Sequence, residues 1–274
     1  MIDGVILQYY CSECEGVLRE TESEVSLSSI TEPCPFCGSL LSESLQKRSL
    51  MPREEREVAF QQASRVPRLG IDIRKIESAI PFLSTGQKVA LVGRHSQKIL
   101  ERLAVRAQMP ARHGGLDSHV VLVDGGNISD PYLCIDFARQ YGLDVNLVMS
   151  RIISSRAFTV HQLEYLVSHE LSGVVKKYGA RLVMLSDMLA MFPGASLDGA
   201  EAKWLLDSVS AALSRLKDCL VIMSISEPTV YDGMLLGSFD RVIRLSEMGG
   251  IVTVGLEGRD CAIKESDLEA VPRR

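Results

Sequence analysis

The chain has 274 residues, of which 46% are hydrophobic and 24% are charged, and its formal net charge at pH 7 is −5. This composition is ordinary for a globular protein, and the length suits one large domain with a small accessory domain. No apolar run approaches the roughly 20 residues that cross a bilayer, and the amino terminus has neither the basic start nor the long apolar stretch of a signal peptide. We therefore expect a cytoplasmic protein without membrane contact.

Charge is distributed unevenly along the chain. Residues 1–46 hold eight acidic side chains and one basic side chain, whereas residues 47–112 hold fourteen basic and six acidic ones. A basic segment is able to meet phosphates or an acidic partner, but it is equally consistent with a solvated linker and exposed helix faces. Both interpretations stay open, and any contact with DNA is expected to be weak and sensitive to salt.

The first predicted element is a metal-binding ribbon over residues 1–45. Cys11 and Cys14 form one C-x-x-C pair, and Cys34 and Cys37 form a second one nineteen residues further on. Two such pairs supply four thiolates in tetrahedral geometry, which is the ligand set of structural Zn²⁺. The alternative, two disulfides, is disfavoured in a reducing cytosol. Because four thiolates leave no position open for water, this zinc is expected to be structural and not catalytic.

Residues 46–70 have the composition of a linker, with one short helix predicted at 53–64. From residue 71 to 274, short apolar runs alternate with longer amphipathic stretches, which predicts a wound α/β sheet with helices on both faces. The last two runs flank a short turn and predict a closing hairpin. Strands are predicted at 89–92, 120–123, 145–149, 182–185, 220–223, 242–245 and 251–254, and helices at 96–107, 131–141, 160–178 and 200–217.

In a wound sheet, ligands bind beyond the carboxyl ends of the strands. The turn after the first strand begins at Gly93, and a phosphate-binding loop there would need the pattern G-x-x-x-x-G-K-[ST]. Counted from Gly93, the second glycine falls on Lys98, the lysine on Ile99 and the hydroxyl residue on Leu100. This turn is not expected to cradle a triphosphate.

Several segments of the core carry the pattern of a known family. In chain order they are GQK at 86–88, LAVRAQMP at 103–110, GGL at 114–116, HVVLVD at 119–124 and RAFTVHQ at 156–162. In these segments the chain resembles the archaeal RadA and eukaryotic RecA-like recombinases, especially their paralogues, over about residues 60–255. A cysteine ribbon before such a core also resembles the bacterial RadA/Sms proteins. The resemblance implies a RecA-like core over residues 71–274.

The chain departs from this family at the residues that hydrolyse ATP. Active members have a Lys-Thr pair in the phosphate loop, a glutamate after the second strand and an aspartate at the end of a later strand. Here no Lys-Thr pair follows Gly93, two glycines follow Asp124, and the later strand ends at Ser186, with Asp187 one position late. Since metal, lysine and positioned water act together in phosphoryl transfer, the resemblance implies a pseudo-ATPase for which ATP is not expected as a ligand.

Two residues are candidates for rescuing the site. Lys98 could reach back to a phosphate, and Asp187 could hold a metal through water. The alternative is that Lys98 is a solvated residue at a helix start and that Asp187 caps a turn.

The resemblance also implies a way of binding partners. Phe60 and Ala63 form an F-x-x-A motif, by which family members dock into a neighbouring core, although an amphipathic helix would equally bury both against its own core. We predict a non-catalytic paralogue that assists DNA recombination and repair by contacting a RadA-like recombinase or another repair protein, with oligomer formation left open. The alternatives are a divergent DNA-dependent ATPase and a regulatory scaffold unrelated to recombination.

Overall fold

The computed structural model describes residues 6–13, 17–21, 33–34, 39–41, 45–50, 66–80 and 82–271. The chain separates into two compact units, Met1–Val66 and Pro67–Arg274. The helix predicted at 53–64, which contains Phe60 and Ala63, lies outside the described residues and stays a prediction.

The described strands of the first unit are β1 (Ile6–Cys11), β2 (Val17–Thr21) and β3 (Leu45–Leu50). They form an antiparallel sheet with β1 in the centre. β3 pairs with β1 along its whole length, so this sheet extends past residue 45, the last residue of the predicted ribbon. Hydrogen bonds to β1 hold a strand whose sequence, LQKRSL, is too polar to be predicted as one.

The second unit is built on one large sheet. A short antiparallel pair, β4 (Arg68–Leu69) and β5 (Leu83–Ser84), precedes it. The large sheet consists of β6 (Lys88–Val92), β7 (Val120–Asp124), β8 (Ile152–Arg156), β9 (Leu182–Ser186), β10 (Leu220–Ile225), β11 (Arg241–Met248), β12 (Ile251–Leu256) and β13 (Arg259–Lys264). Among the described residues its order is β13-β12-β11-β6-β10-β9-β7-β8. The strands from β11 to β8 are parallel, and β12 and β13 continue the sheet as antiparallel strands.

Helices cover both faces of this sheet. They are α1 (Arg74–Ala79), α2 (Ser96–Arg106), α3 (Pro131–Gln140), α4 (Val145–Ser150), α5 (Val160–Tyr165), α6 (Leu171–Tyr178), α7 (Gly199–Leu213) and α8 (Asp232–Leu236), with a π-helical turn, Leu166–Glu170, between α5 and α6. Val89 and Leu91 pack on the side of α2 and α3, while Ala90 and Val92 pack on the side of α5 to α7. The predicted fold class, a mostly parallel sheet flanked by helices, is confirmed. No helix in the described ranges is both long and apolar enough to cross a membrane.

One predicted strand is wrong. Residues 145–149 form helix α4, because the side chain of Asp144 caps it by accepting a hydrogen bond from the N–H of Leu147 at 2.8 Å. The strand β8 follows at Ile152–Arg156 and lies at the end of the sheet, and three of its five residues are polar. The apolar run therefore belongs to the helix that precedes the strand. The edge strand β13 was also missed, because only its alternate residues face the core.

Two arginines of the basic segment are internal. Arg102 is fully buried, and its guanidinium donates hydrogen bonds to the carbonyl oxygens of Ile71 (2.9 Å), Asp72 (2.8 Å) and Ala270 (2.9 Å). Arg106 is only 3% exposed. The two guanidinium groups join α2 to residues near the beginning of the second unit, and Arg102 also reaches its end. Neither arginine is therefore available to bind phosphate or an acidic partner, and neither is part of a solvated surface.

Candidate functional site

The turn after β6 is short. β6 ends at Val92 and α2 begins at Ser96, so three residues connect them. The N–H of Gly93 donates to the carbonyl oxygen of Ile225 at 2.8 Å, and the N–H of Ser96 donates to that of Gly93 at 2.9 Å. A phosphate-binding loop needs a longer, glycine-rich turn whose free N–H groups surround the phosphates. This turn lacks the length, and two of its donors are already in use.

Gly93 is required by its packing against β11. Its φ is +129°, and a Cβ at this position would lie 2.0 Å from the carbonyl oxygen of Leu245. Only glycine lets the two backbones approach so closely. The residue that matched the start of the phosphate-loop pattern therefore has a structural role that does not depend on phosphate.

The hairpin of β11 and β12 reaches the same turn. β11 pairs with β6 only as far as Arg244 opposite Val92, so residues 245–248 project beyond the end of β6. In this projection Glu247 Oε2 lies 2.9 Å from His95 Nε2, and His95 is 5% exposed. A carboxylate of the protein thus lies against the residue that precedes α2, at the end of the helix that favours an anion.

Lys98 faces the carboxyl-terminal segment. Its Nζ lies 3.2 Å from Glu265 Oε1 and also pairs with Glu269, and 29% of its side chain is exposed. Burial lowers the pKa of Lys98, but the hydrogen bonds and charges of Glu269 and Glu265 outweigh burial, so the pKa is raised and the cation is retained. Lys98 is held by two partly exposed carboxylates and is not free in solvent.

A residue that the sequence analysis did not single out, Gln97, joins α2 to the later strands. Its Oε1 accepts hydrogen bonds from the hydroxyls of Ser186 at 3.1 Å and Ser224 at 3.0 Å, and its amide donates to Glu101 at 2.6 Å. Both serines are fully buried. Gln97 therefore ties α2 to the carboxyl ends of β9 and β10.

Asp187 bridges two loops. It follows β9 with φ +43°, its Oδ1 accepts a hydrogen bond from the N–H of Ser226 at 2.9 Å, and its own N–H donates to Ser224 Oγ at 3.0 Å. Burial raises the pKa of its carboxyl, the hydrogen bonds from Ser226 lower it, and the charges of Glu227 and Asp124 raise it further, with a net rise. This geometry agrees with the interpretation of Asp187 as a turn residue.

The loop after β7 leaves no space for a catalytic glutamate. Asp124 ends β7, and its Oδ2 accepts two hydrogen bonds from the guanidinium of Arg156, at 3.0 and 3.2 Å. A Cβ at Gly125 would lie 2.7 Å from the Cα of Met188, and a Cβ at Gly126 is equally short of space. A side chain at position 125 or 126 therefore requires the neighbouring loop after β9 to move.

Two of the four ribbon cysteines, Cys11 and Cys34, lie among the described residues. Cys34 is 3% exposed, and its N–H donates to the carbonyl oxygen of Ser39 at 2.8 Å. Cys11 is the last residue of β1, whereas Cys14 and Cys37 lie outside the described residues. The four-cysteine zinc site therefore stays a prediction.

A cavity of about 170 Å³ lies beside β8. β8 ends the sheet, and in the described part of the chain no strand pairs with its outer edge. An open strand edge next to an apolar cavity is where an extended segment of another chain can add to a sheet and insert a side chain. The lining residues are mostly apolar: Val121, Val123, Ile153, Ser155, Leu166, Glu170, Leu171, Val174, Lys177 and Tyr178.

The mostly parallel sheet with helices on both faces is consistent with the α/β fold of the RecA-like class. A family model described as Rad51 matches residues 92–218, from the end of β6 to the residues before β10. The matched segment contains the turn after β6 together with Asp124, Ser186 and Asp187. This part of the chain is therefore similar to the Rad51 family of RecA-like recombinases.

Proposed function

We propose that the chain is a non-catalytic paralogue of RadA-like recombinases, a cytoplasmic pseudo-ATPase that assists DNA recombination or repair through contacts with proteins. The similarity of residues 92–218 to the Rad51 family supports the link to recombinases. In this proposal Zn²⁺ is a structural cofactor held by Cys11, Cys14, Cys34 and Cys37, and ATP is not a ligand.

The observation that carries the non-catalytic part is the three-residue turn between β6 and α2. Its glycine is packed on β11, and the nearest lysine, Lys98, is paired with Glu265 and Glu269. Gln97 engages the hydroxyl of Ser186 from within α2. Because phosphoryl transfer needs phosphate loop, lysine, metal and positioned water at once, these changes act on every part of the site together.

Calorimetric titration of the full chain with ATP, with and without Mg²⁺, tests this part. We expect no binding heat and no change in the unfolding midpoint, whereas a ligand at a hundred times its Kd would add about 2.7 kcal/mol to the free energy of unfolding. Tight binding that depends on Mg²⁺ would reject the pseudo-ATPase and favour the divergent ATPase.

The protein-contact part rests on the cavity beside β8. In the proposal, an F-x-x-A segment of a recombinase, or the segment with Phe60 and Ala63 of a second copy, extends the sheet at β8 and inserts its phenylalanine into the cavity. The apolar lining suits an aromatic ring, and backbone hydrogen bonds to the strand edge would supply affinity. Contact with DNA is a minor part, since Arg102 and Arg106 are internal and six residues connect β10 to α8.

A labelled peptide of residues 56–66 tests this docking by fluorescence anisotropy. We expect binding that is lost when the peptide carries Phe60→Ala or when the protein carries Val174→Lys, because Val174 lines the cavity. Ser172→Lys is the matched control, since Ser172 is exposed on the same helix and does not line the cavity. Equal binding by both protein variants would reject the docking site, and failure to capture any intact recombinase would favour the unrelated scaffold.

A further inference from the structure

One histidine and two glutamates from three separate elements converge beside the turn after β6. His95 precedes α2, Glu247 lies in β11, and Glu265 begins a short 3₁₀ segment, Glu265–Leu268. One ligand atom from each residue lies within 4.8 Å of the other two. His95 Nε2 is 2.9 Å from Glu247 Oε2, and His95 Nδ1 is 3.9 Å from Glu265 Oε1. We call these three residues the His95 cluster.

We propose that the His95 cluster binds one divalent metal ion of the Zn²⁺ class through an imidazole nitrogen and two carboxylate oxygens. Borderline ions of this class accept nitrogen and oxygen ligands together. Ligand atoms about 2.1 Å from a tetrahedral ion are roughly 3.4 Å apart. The ion takes only one ring nitrogen, so the three ligand atoms, which lie within 4.8 Å of one another, reach this separation mainly by movement of Glu265. Glu265 is able to move, because 41% of its side chain is exposed.

The burial of His95 supports this assignment. Its side chain is 6% exposed, and the structure places a carboxylate on each side of the ring. The ring is thus fixed before an ion arrives, which removes much of the ordering cost that a surface histidine would meet. The fourth ligand is a water molecule, because the side chains of Glu247 and Glu265 are 25% and 41% exposed and leave the ion open to solvent.

Lys98 is the natural competitor of the ion. It lies 3.2 Å from Glu265 and pairs with Glu269 as well. When an ion takes Glu265, Lys98 keeps Glu269, so no cation is left buried without a partner. Arg94, at 3.8 Å from Glu247 and with 84% of its side chain exposed, contributes little because it is fully hydrated. The balance between ion and lysine makes affinity at the His95 cluster dependent on Lys98.

Zinc content of the full chain tests the inference. Metal-depleted protein is loaded with Zn²⁺, dialysed and analysed by mass spectrometry for zinc per chain. We expect the double variant Glu247→Gln, Glu265→Gln to hold one ion fewer than the wild type, and the control Glu269→Gln to hold the same number as the wild type. The difference of one ion does not depend on the cysteines, which are unchanged in every variant. Equal zinc content in the wild type and the double variant would overturn the proposal.

Calorimetric titration with Zn²⁺ provides a second test, in which a substitution is expected to tighten binding. Lys98→Gln removes the competing cation. We therefore expect the Zn²⁺ binding step that is absent from the Glu247→Gln, Glu265→Gln variant to become about fivefold tighter. Unchanged or weaker binding in Lys98→Gln overturns the proposal, because a hydrogen-bonded network without an ion has no such dependence. Glutamine keeps an acceptor for His95, and circular dichroism verifies that each variant is folded. No nucleotide or partner enters these measurements, so they are independent of the proposed function.

Discussion

Replacing Gly93 with alanine separates a structural glycine from a phosphate-binding one. The new Cβ would lie 2.0 Å from the carbonyl oxygen of Leu245, which is 1.4 Å less than the 3.4 Å at which ordinary contacts begin. An alanine at φ +129° adds backbone strain of about 1–3 kcal/mol. Moving β11 away from β6 adds a packing cost of about 1–3 kcal/mol. We therefore expect Gly93→Ala to lower the free energy of unfolding by about 4 kcal/mol.

Denaturant unfolding of the full chain, followed by circular dichroism and by the fluorescence of Trp204, measures this loss. Trp204 is the single tryptophan of the sequence and lies in α7, so its signal reports on the second unit. Gly173→Ala is the matched control. No atom lies within 4 Å of a Cβ at Gly173, which is exposed in α6, so alanine is expected to stabilise the protein by about 0.5–1 kcal/mol.

A loss below 1 kcal/mol for Gly93→Ala would refute this reasoning. It would mean that β11 yields easily and that the close approach to Leu245 is not what requires glycine. The loss is also expected to be the same with and without ATP, because the proposed requirement is packing and not phosphate.

Three further predictions concern stability. Arg102→Met is expected to cost about 3–5 kcal/mol, because it leaves buried carbonyl oxygens without donors, and a denaturant midpoint close to that of the wild type would contradict it. Asp144→Ala is expected to cost about 1 kcal/mol by removing the cap of α4, and Asp144→Asn should restore most of it in thermal unfolding. For Asp187 the folded-state pKa is raised, so its contribution is present at low pH and is lost as the pH rises through that pKa. Asp187→Asn, which keeps an acceptor for the N–H of Ser226, should therefore gain stability relative to the wild type with rising pH, and a difference independent of pH would exclude this effect.

The central strands were predictable because they are buried on both faces. All five residues of β9 are buried, and its first four are apolar and adjacent, which is a pattern that predicts a buried strand. Edge strands differ, because only one face and one neighbour support them. β8 and β13 are therefore mixed in composition, and the more apolar sequence of α4 was assigned to the sheet instead.

In the candidate site, features set by neighbouring residues were predictable, and contacts between distant positions were not. That the turn at Gly93 lacks a phosphate-loop pattern follows from neighbouring residues, and the sequence alone indicates it. The contacts that occupy the turn do not follow in this way, since His95 and Glu247 are 152 positions apart and Lys98 and Glu265 are 167 apart. No local pattern marks such pairs, because the sheet order that brings β11 beside β6 is a property of the whole fold. Gln97 was missed for the same reason.

The position of α2 explains why single substitutions would not create the motif's phosphate loop at this turn. The residues that align with the motif's lysine and hydroxyl are Ile99 and Leu100, and they are 1% and 0% exposed, packed in the core against the sheet. A lysine at position 99 would bury a cation among apolar side chains and would shift its pKa or unfold the helix before it met a phosphate. The helix therefore presents a different face to the carboxyl edge than a phosphate loop requires. A phosphate loop of the motif's form would need a longer turn here as well as new side chains.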